Sequence, residues 1–278
     1  MANAYEENGR QMNAPHDTAD SPCVNLLWTG GWDSTFRLLQ LLLVHRVPVV
    51  PHYLEDPTRA STRTELRTMA RIGDHLREAY PHTRELLQPL RIAAVADVEE
   101  DPEIAGALRE IRKRIFIGSQ YAWLPAFCKQ HAIADMELGV HVDDKVQALL
   151  RLYVMAFEHP AGYSSIRVDP RHAGYAEFRL FRYFSFPLFH IDKVEMGRQA
   201  EAEGWGAIMD MTWFCHTPVR GAPCGFCAPC VYTIEEGLAR RVPASRRALS
   251  FLYRHIALPL KGPLRQMRAS LQSLSAAL

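Results

Sequence analysis

Apolar and polar residues alternate along the chain in short blocks that predict strands followed by helices. Residues 24–28 form an apolar, strand-like run, and a glycine-containing turn separates them from a helix-like run at residues 36–44. A second apolar run at residues 47–54 precedes residues 62–79, where apolar side chains recur every three or four positions. Strands that alternate with helices in this way are typical of α/β proteins with a parallel sheet.

The alternation continues through the middle of the chain and predicts further elements. These are strands at residues 90–95 and 136–140, helices at residues 121–131 and 193–203, and a helix that begins at Asp101-Pro102. The aromatic stretch at residues 178–189 has the composition of a strand. Together these elements predict an α/β fold with a doubly wound, mostly parallel sheet over residues 22–205.

The composition permits a full hydrophobic core, and the charge is nearly balanced. Hydrophobic residues make up 48 % of the 278 residues, and 32 Lys and Arg residues accompany 31 Asp and Glu residues. The overall charge therefore favours neither a nucleic-acid-binding protein nor one that binds acidic substrates. No segment approaches the roughly 18–20 apolar residues that cross a bilayer. Residues 1–21 are polar and lack a signal-peptide pattern, so we expect a disordered leader and a cytoplasmic protein without a membrane span.

The turn after the first strand has the sequence Thr29-Gly-Gly-Trp-Asp-Ser-Thr35. Its paired glycines allow backbone N–H groups to approach an anion, while its hydroxyl groups and the start of the next helix add donors. Asp33 could orient the loop or help to hold Mg²⁺. The segment matches neither the Walker motif nor the dinucleotide-binding motif. Phosphate binding is the favoured interpretation, and an ordinary strand-to-helix turn is the alternative.

A cysteine cluster lies late in the chain, with Cys215 followed by Cys224, Cys227 and Cys230. Four thiolates at this spacing can surround a zinc ion, and a closed site of four protein ligands indicates a structural role. The alternatives are free structural cysteines, a redox Cys-x-x-Cys pair and an iron–sulfur cluster. The spacing of all four cysteines favours zinc.

Both motifs, in this order, resemble those of the 7-cyano-7-deazaguanine synthase family of PP-loop ATP pyrophosphatases. The family's Ser-Gly-Gly-x-Asp-Ser-Thr motif corresponds to residues 29–35. Its Thr-x-x-Cys and Cys-Gly-x-Cys-x-x-Cys motifs correspond to residues 212–215 and 224–230. Weaker matches are Tyr53, Glu65, the pair Pro187-Leu188 and residues 193–196. The resemblance covers about residues 23–238.

The resemblance implies an adenine nucleotide α-hydrolase-like fold with a four-cysteine zinc lobe at residues 206–238. It also implies ATP, Mg²⁺ and Zn²⁺ as cofactors, a small deazapurine carboxylate as substrate, and a homodimer. Family members convert that carboxylate to an amide and then a nitrile with ammonia, releasing AMP and pyrophosphate. Here Asp33, Ser34 and Lys193 would be catalytic, although Lys193 could also be a solvated residue in the first turn of a helix. The ATP-binding residues would be Trp28, Thr29, Gly30, Gly31, Trp32, Asp33, Ser34, Thr35, Phe36 and Tyr53.

Three segments depart from the family pattern. Residues 141–147 keep only an acidic pair from the family segment that lies against the deazapurine, and residues 118–120 lack the arginine of its Gly-Arg-Asn motif. Both changes concern the acceptor, which could therefore differ. Residues 239–278 form a basic extension, with eight Lys or Arg and no acidic residue from Arg240 onward. We predict helices there that pack on the domain or on a second subunit; nucleic acid, phospholipid or acidic protein are the alternative partners.

Three functions remain open from the sequence. The first is a synthase that converts a deazapurine carboxylate to its amide and nitrile. The second keeps the adenylation but joins a deazapurine or another acyl group to a protein or nucleic-acid acceptor; a related option is tRNA thiolation with Cys23 or Cys128 as the sulfur carrier. The third is a non-catalytic zinc-containing protein that binds nucleic acid.

Overall fold

The computed structural model describes residues 23–257, which form one seven-stranded sheet with helices packed against it. The predicted leader at residues 1–21 and the extension after residue 257 lie outside the described residues. The strands are β1 Val24–Leu27, β2 Val49–Glu55, β3 Arg91–Ala94, β4 Met136–Glu137, β5 Val154–His159, β6 Tyr163–Val168 and β7 Phe184–Ser185. None of the helices in this part of the chain is long and apolar enough to cross a membrane.

The sheet has the strand order β3-β2-β1-β4-β7-β6-β5. The first five strands in this order run parallel to one another, whereas β6 pairs antiparallel with both β7 and β5. Strand β1 thus lies between β2 and β4, and the chain changes direction across the sheet between these neighbours. The mostly parallel, doubly wound sheet predicted from the sequence is confirmed.

Eleven α-helices occur in the described part of the chain, and most lie between the strands. They are α1 Trp32–Leu39, α2 Thr62–Ala79, α3 Thr83–Leu86, α4 Pro102–Arg112, α5 Leu124–Gln130, α6 Lys145–Leu150, α7 Ala176–Phe181, α8 Lys193–Ala202, α9 Gly206–Met211, α10 Ala228–Thr233 and α11 Ala244–Leu252. A π-helical segment, Gln40–His45, continues α1.

Two separate hydrophobic cores cover the two faces of the sheet. Leu26 of β1 belongs to the core that includes α1, α2, α8 and α9, whereas the next residue, Leu27, packs against the core that includes α4, α5 and α7. Successive side chains of a strand point to opposite faces, so this division follows from the alternation along β1. β1 and β2 are mostly apolar and largely buried, which explains why these two central strands were visible in the sequence.

Two parts of the sequence interpretation need correction. Residues 178–189 are not one strand: α7 ends at Phe181, and only Phe184–Ser185 pair in the sheet. Leu180 and Phe181 are buried in the same core as α4, and this packing outweighs the strand propensity of the aromatic residues. The antiparallel hairpin of β5 and β6 was not predicted, and it adds two strands at one edge of the sheet.

Candidate active site and metal centre

A cleft opens where the carboxyl ends of β1 and β4 lie side by side. These parallel strands are neighbours, and the connections from them lead to opposite sides of the sheet. Ligands of doubly wound proteins bind at such a switch point. A small slot of about 160 Å³ there adjoins a wider cavity of about 550 Å³, and both are lined by Gly31, Asp33 and Asp144. The predicted glycine loop therefore lies at the usual ligand-binding edge of this fold.

The loop between β1 and α1 has the geometry of an anion-binding turn. Gly30 has a φ of +67°, and a Cβ there would lie 3.1 Å from Met69 of α2, so glycine is required. Gly31 occupies the N-cap of α1 and offers no capping side chain, which leaves the first N–H groups of the helix available to an anion. The Thr29 N–H group donates to Ser34 Oγ (3.3 Å), which closes the loop on itself.

Asp33 lies in the cleft with one carboxylate oxygen free of protein partners. Its Oδ1 is buried and has no hydrogen-bond partner among the described residues. Its Oδ2 lies 3.9 Å from His141 Nε2, and His141 Nδ1 accepts a hydrogen bond from the Asp143 N–H group. A Cβ at Gly139, just after β4, would lie 3.0 Å from Asp33 Cβ. Glycine at this position therefore lets the end of β4 approach the carboxylate closely.

A second acidic group and a lysine face the same space. Asp144 caps α6 by accepting from the Val146 N–H group (2.7 Å), and burial raises the pKa of its carboxyl group. Lys193 Nζ lies 2.9 Å from Glu236. Burial lowers the pKa of Lys193, but Asp33, Glu236 and Asp144 together outweigh this effect and raise it above its ordinary value. Lys193 is thus a charged group held inside the cleft.

Arg241 lines the cleft and was not singled out in the sequence. Its guanidinium group lies over the rings of Trp32 (5.2 Å) and Phe214 (4.9 Å) and donates to Thr212 Oγ1 (2.6 Å). Burial lowers the pKa of Arg241 to about 10, so it remains charged at neutral pH. In the sequence it was only one of several arginines in a basic stretch, because no local motif marks it.

The other predicted nucleotide-binding side chains are buried around the loop. Trp28 Nε1 donates to Thr35 Oγ1 (3.0 Å), and Phe36 packs edge-on against Trp205. The Tyr53 hydroxyl group donates to Glu65 (2.7 Å) in the interior. These side chains therefore support the loop from within, whereas Trp32 lines the cleft.

The four predicted cysteines converge into one cluster. Their sulfur atoms all lie within 4.8 Å of one another. Cys224 Sγ is 3.8 Å from Cys230 Sγ, and Cys227 Sγ is 3.9 Å from Cys215 Sγ. Zn–S bonds of about 2.3 Å place the sulfurs of a tetrahedral site about 3.8 Å apart, so the donor set fits a single ion. The Cys227 N–H group also donates to Cys224 Sγ (3.3 Å), as suits a thiolate.

Backbone contacts join this cysteine cluster to its surroundings. The Trp213 N–H group donates to the carbonyl oxygen of Gly30 (2.8 Å), which joins the cysteine lobe to the glycine loop. Gly225 has a φ of +89°, and a Cβ there would lie 2.5 Å from the carbonyl oxygen of Arg246 in α11. The lobe is therefore in direct contact with both the cleft and the first helix of the basic extension.

No protein-family model and no curated protein sequence matches this chain. Among solved structures, it is similar to the U34-tRNA thiolase NcsA from Methanococcus maripaludis with its [4Fe-4S] cluster. The two chains are 14 % identical, and the TM-score is 0.39 over 86 % of this chain and 73 % of that chain.

Proposed function

We propose that this chain is an ATP-dependent enzyme of the PP-loop type that activates a carboxylate by adenylation and releases AMP and pyrophosphate. The observation that carries the proposal is the uncapped start of α1 at the switch point of the sheet, with Asp33 turned into the cleft. A helix start with free N–H groups holds phosphate oxygens. A phosphate-bearing substrate next to an acidic side chain is the arrangement that Mg²⁺ requires.

The cleft residues have complementary roles in this proposal. The N–H groups at the start of α1 would hold the β- and γ-phosphates, and Lys193 would stabilise the charge that develops on the leaving pyrophosphate. Asp33 and Asp144 would hold Mg²⁺, which neutralises phosphate charge when bound. The substrate carboxylate attacks the α-phosphorus, and the bond to pyrophosphate breaks. A nitrogen nucleophile then displaces AMP from the acyl adenylate and loses one proton, giving an amide.

We propose zinc as the ion of the cysteine centre. The observed sulfur separations of 3.8 and 3.9 Å suit one tetrahedral ion. A four-iron cube would hold its four cysteines further apart, because the cluster body lies between them. The ion would be structural, since four protein thiolates leave no open position for a substrate. Metal analysis of the purified protein tests this: one zinc per chain is expected, and iron with inorganic sulfide would contradict it.

The favoured substrate is a small deazapurine carboxylate, with ammonia as the nucleophile, as the motif resemblance implies. A macromolecular acceptor, protein or nucleic acid, is the second candidate. One observation favours the second: His141 and Lys145 line the cleft, and they belong to the segment in which only the acidic pair Asp143-Asp144 is kept from the family pattern. The wall that would contact the acceptor is therefore the part of the cleft that differs most.

A mass-resolved turnover assay tests the reaction. Zinc-replete protein is incubated with Mg²⁺-ATP, ammonium and 7-carboxy-7-deazaguanine, and AMP, pyrophosphate and the deazapurine product are measured. An amide or nitrile together with AMP supports the favoured substrate. ATP binding without turnover of the free base would support the macromolecular acceptor. Absence of ATP binding would contradict the proposed enzyme and favour a non-catalytic zinc protein.

Asp33→Asn provides the site-specific arm of this assay. It keeps the shape of the side chain and removes the charge that would hold Mg²⁺, so we expect pyrophosphate release to fall by about 10²-fold or more, the scale of losing one electrostatic contact to a transition state. Asp74→Asn is the matched control, because Asp74 is an exposed carboxylate of α2 paired with Arg77. Equal turnover in both variants would show that the assigned site is wrong.

A further inference from the structure

A second cavity, of about 460 Å³, adjoins the cleft and has no role in the proposed reaction. It shares Trp213, Phe214 and Arg241 with the cleft, so the two form a continuous depression in the surface. Arg71 from α2 and Arg240 complete its basic wall. We call this second cavity the arginine pocket.

The arginine pocket is lined by more positive than negative side chains in the described part of the chain. Among the described residues that line it, three are arginines and one, Asp210, is acidic, which leaves a formal charge of +2 (three minus one). Arg240 pairs with Asp210 at 2.6 Å. Arg71 instead donates to the carbonyl oxygen of Met211 (2.8 Å), which is a neutral acceptor. Because a guanidinium group has five N–H donors, such a contact leaves donors for an anion.

Aromatic rings lie beside these charges. The rings of Trp213 and Phe214 lie nearly parallel, at 24° with their centroids 6.1 Å apart, and both are only partly buried. Proteins that bind single-stranded nucleic acids usually combine two elements: arginines that contact the phosphates, and nearby aromatic rings on which the bases stack. From Arg240 onward the chain also carries eight Lys or Arg and no acidic residue. An acidic peptide would use the charges but not the stacked rings.

We propose that the arginine pocket binds a single-stranded nucleic acid, with phosphodiester groups at Arg71 and Arg240 and a base against Trp213 and Phe214. The strand would then reach the cleft past Arg241. There an amino or hydroxyl group of the strand displaces AMP from the acyl adenylate, loses a proton and forms an amide or ester. Only this role as acceptor rests on the proposed function, because binding itself needs no ATP.

The test is fluorescence anisotropy of a labelled 12-nucleotide single strand with the full-length protein, without ATP, between 50 and 200 mM salt. We expect the Arg71→Ala, Arg240→Ala double variant to bind about tenfold more weakly at low salt. For two lost phosphate contacts, the slope of log K against log salt should fall by about 1.4. The Arg71→Lys, Arg240→Lys double variant keeps the charge and should retain most of the slope.

Arg84→Ala is the matched control, since Arg84 also donates to a backbone carbonyl, that of Arg77, but lies outside the pocket. It should bind within twofold of the parent protein. The inference is overturned if the parent protein does not bind the strand, if the alanine double variant binds equally well, or if a glutamate-rich peptide of equal charge competes as well as the strand. AMP release is measured separately, so its loss with intact strand binding would overturn only the proposed reaction.

Discussion

The ion pair between Arg37 and Glu137 gives a quantitative test of how α1 is held against the sheet. Their side chains are 4 % and 1 % exposed, and the guanidinium group binds the carboxylate through two bonds of 2.7 and 2.9 Å. The Tyr163 hydroxyl group donates to the same carboxylate (2.7 Å). Arg37 is one helical turn after Asp33, and Glu137 is two residues before Gly139. The pair therefore joins the two elements that enclose the cleft.

Replacing one partner leaves the other charge buried and unpaired. We expect Glu137→Met to lower the free energy of unfolding by about 3–5 kcal/mol, the usual cost of breaking a buried pair. The double variant Arg37→Met, Glu137→Met removes both charges. It leaves the buried Tyr163 hydroxyl group without its acceptor, which costs about 1–3 kcal/mol. The half-buried Gln40 side chain also loses its hydrogen bond from Arg37 (3.1 Å). The double variant should therefore be more stable than the single one.

Urea denaturation followed by tryptophan fluorescence measures these differences, provided that the slope with urea stays constant between variants. Asp74→Met is the control, because its pair with Arg77 is exposed and should be worth no more than about 1 kcal/mol. The Arg37→Met single variant completes the set. The reasoning would be refuted if Glu137→Met lost less than about 1 kcal/mol of unfolding free energy, or if the loss in the double variant equalled the sum of the losses in the two single variants.

Three further predictions follow from single positions. Gly139→Ala places a methyl group 3.0 Å from Asp33 Cβ, so AMP release should fall by about 10²-fold, whereas Gly174→Ala, with nothing within 4 Å, should leave AMP release unchanged. Gly225→Ala should lower zinc retention against a chelator far more than Gly221→Ala, because both have positive φ but only Gly225 meets a backbone oxygen, at 2.5 Å. Burial lowers the pKa of His52 from 6.5 to about 4. As pH falls through this range, His52 therefore takes up its proton in the unfolded chain before it does so in the folded protein. The free energy of unfolding of the parent protein should therefore fall between pH 6.5 and 4, and that of His52→Gln should fall less. Urea denaturation at each pH measures this difference.

The features that the sequence predicted well are those with local patterns. The apolar run of β1 and the two glycines that end it are adjacent in the chain, and so are Cys224, Cys227 and Cys230. Arg241 carries no such signal, since it meets Asp33 only after distant segments pack together. Asp144 was marked only as half of the acidic pair at residues 143–144, and its place beside Asp33 depends on the same packing. The edge hairpin was missed because its strands carry many polar residues and lack a clear alternation.

The hydrogen bond from the Trp213 N–H group to the Gly30 carbonyl oxygen connects the cysteine lobe to the turn that we propose binds phosphate. If zinc in the cysteine cluster orders this turn, it raises the affinity for nucleotide by some factor. Thermodynamic reciprocity then requires that a bound nucleotide raise the affinity for zinc by the same factor. Zinc would then act as an effector as well as a structural ion. Protein saturated with ATP should keep its metal against a chelator at concentrations that strip the free protein.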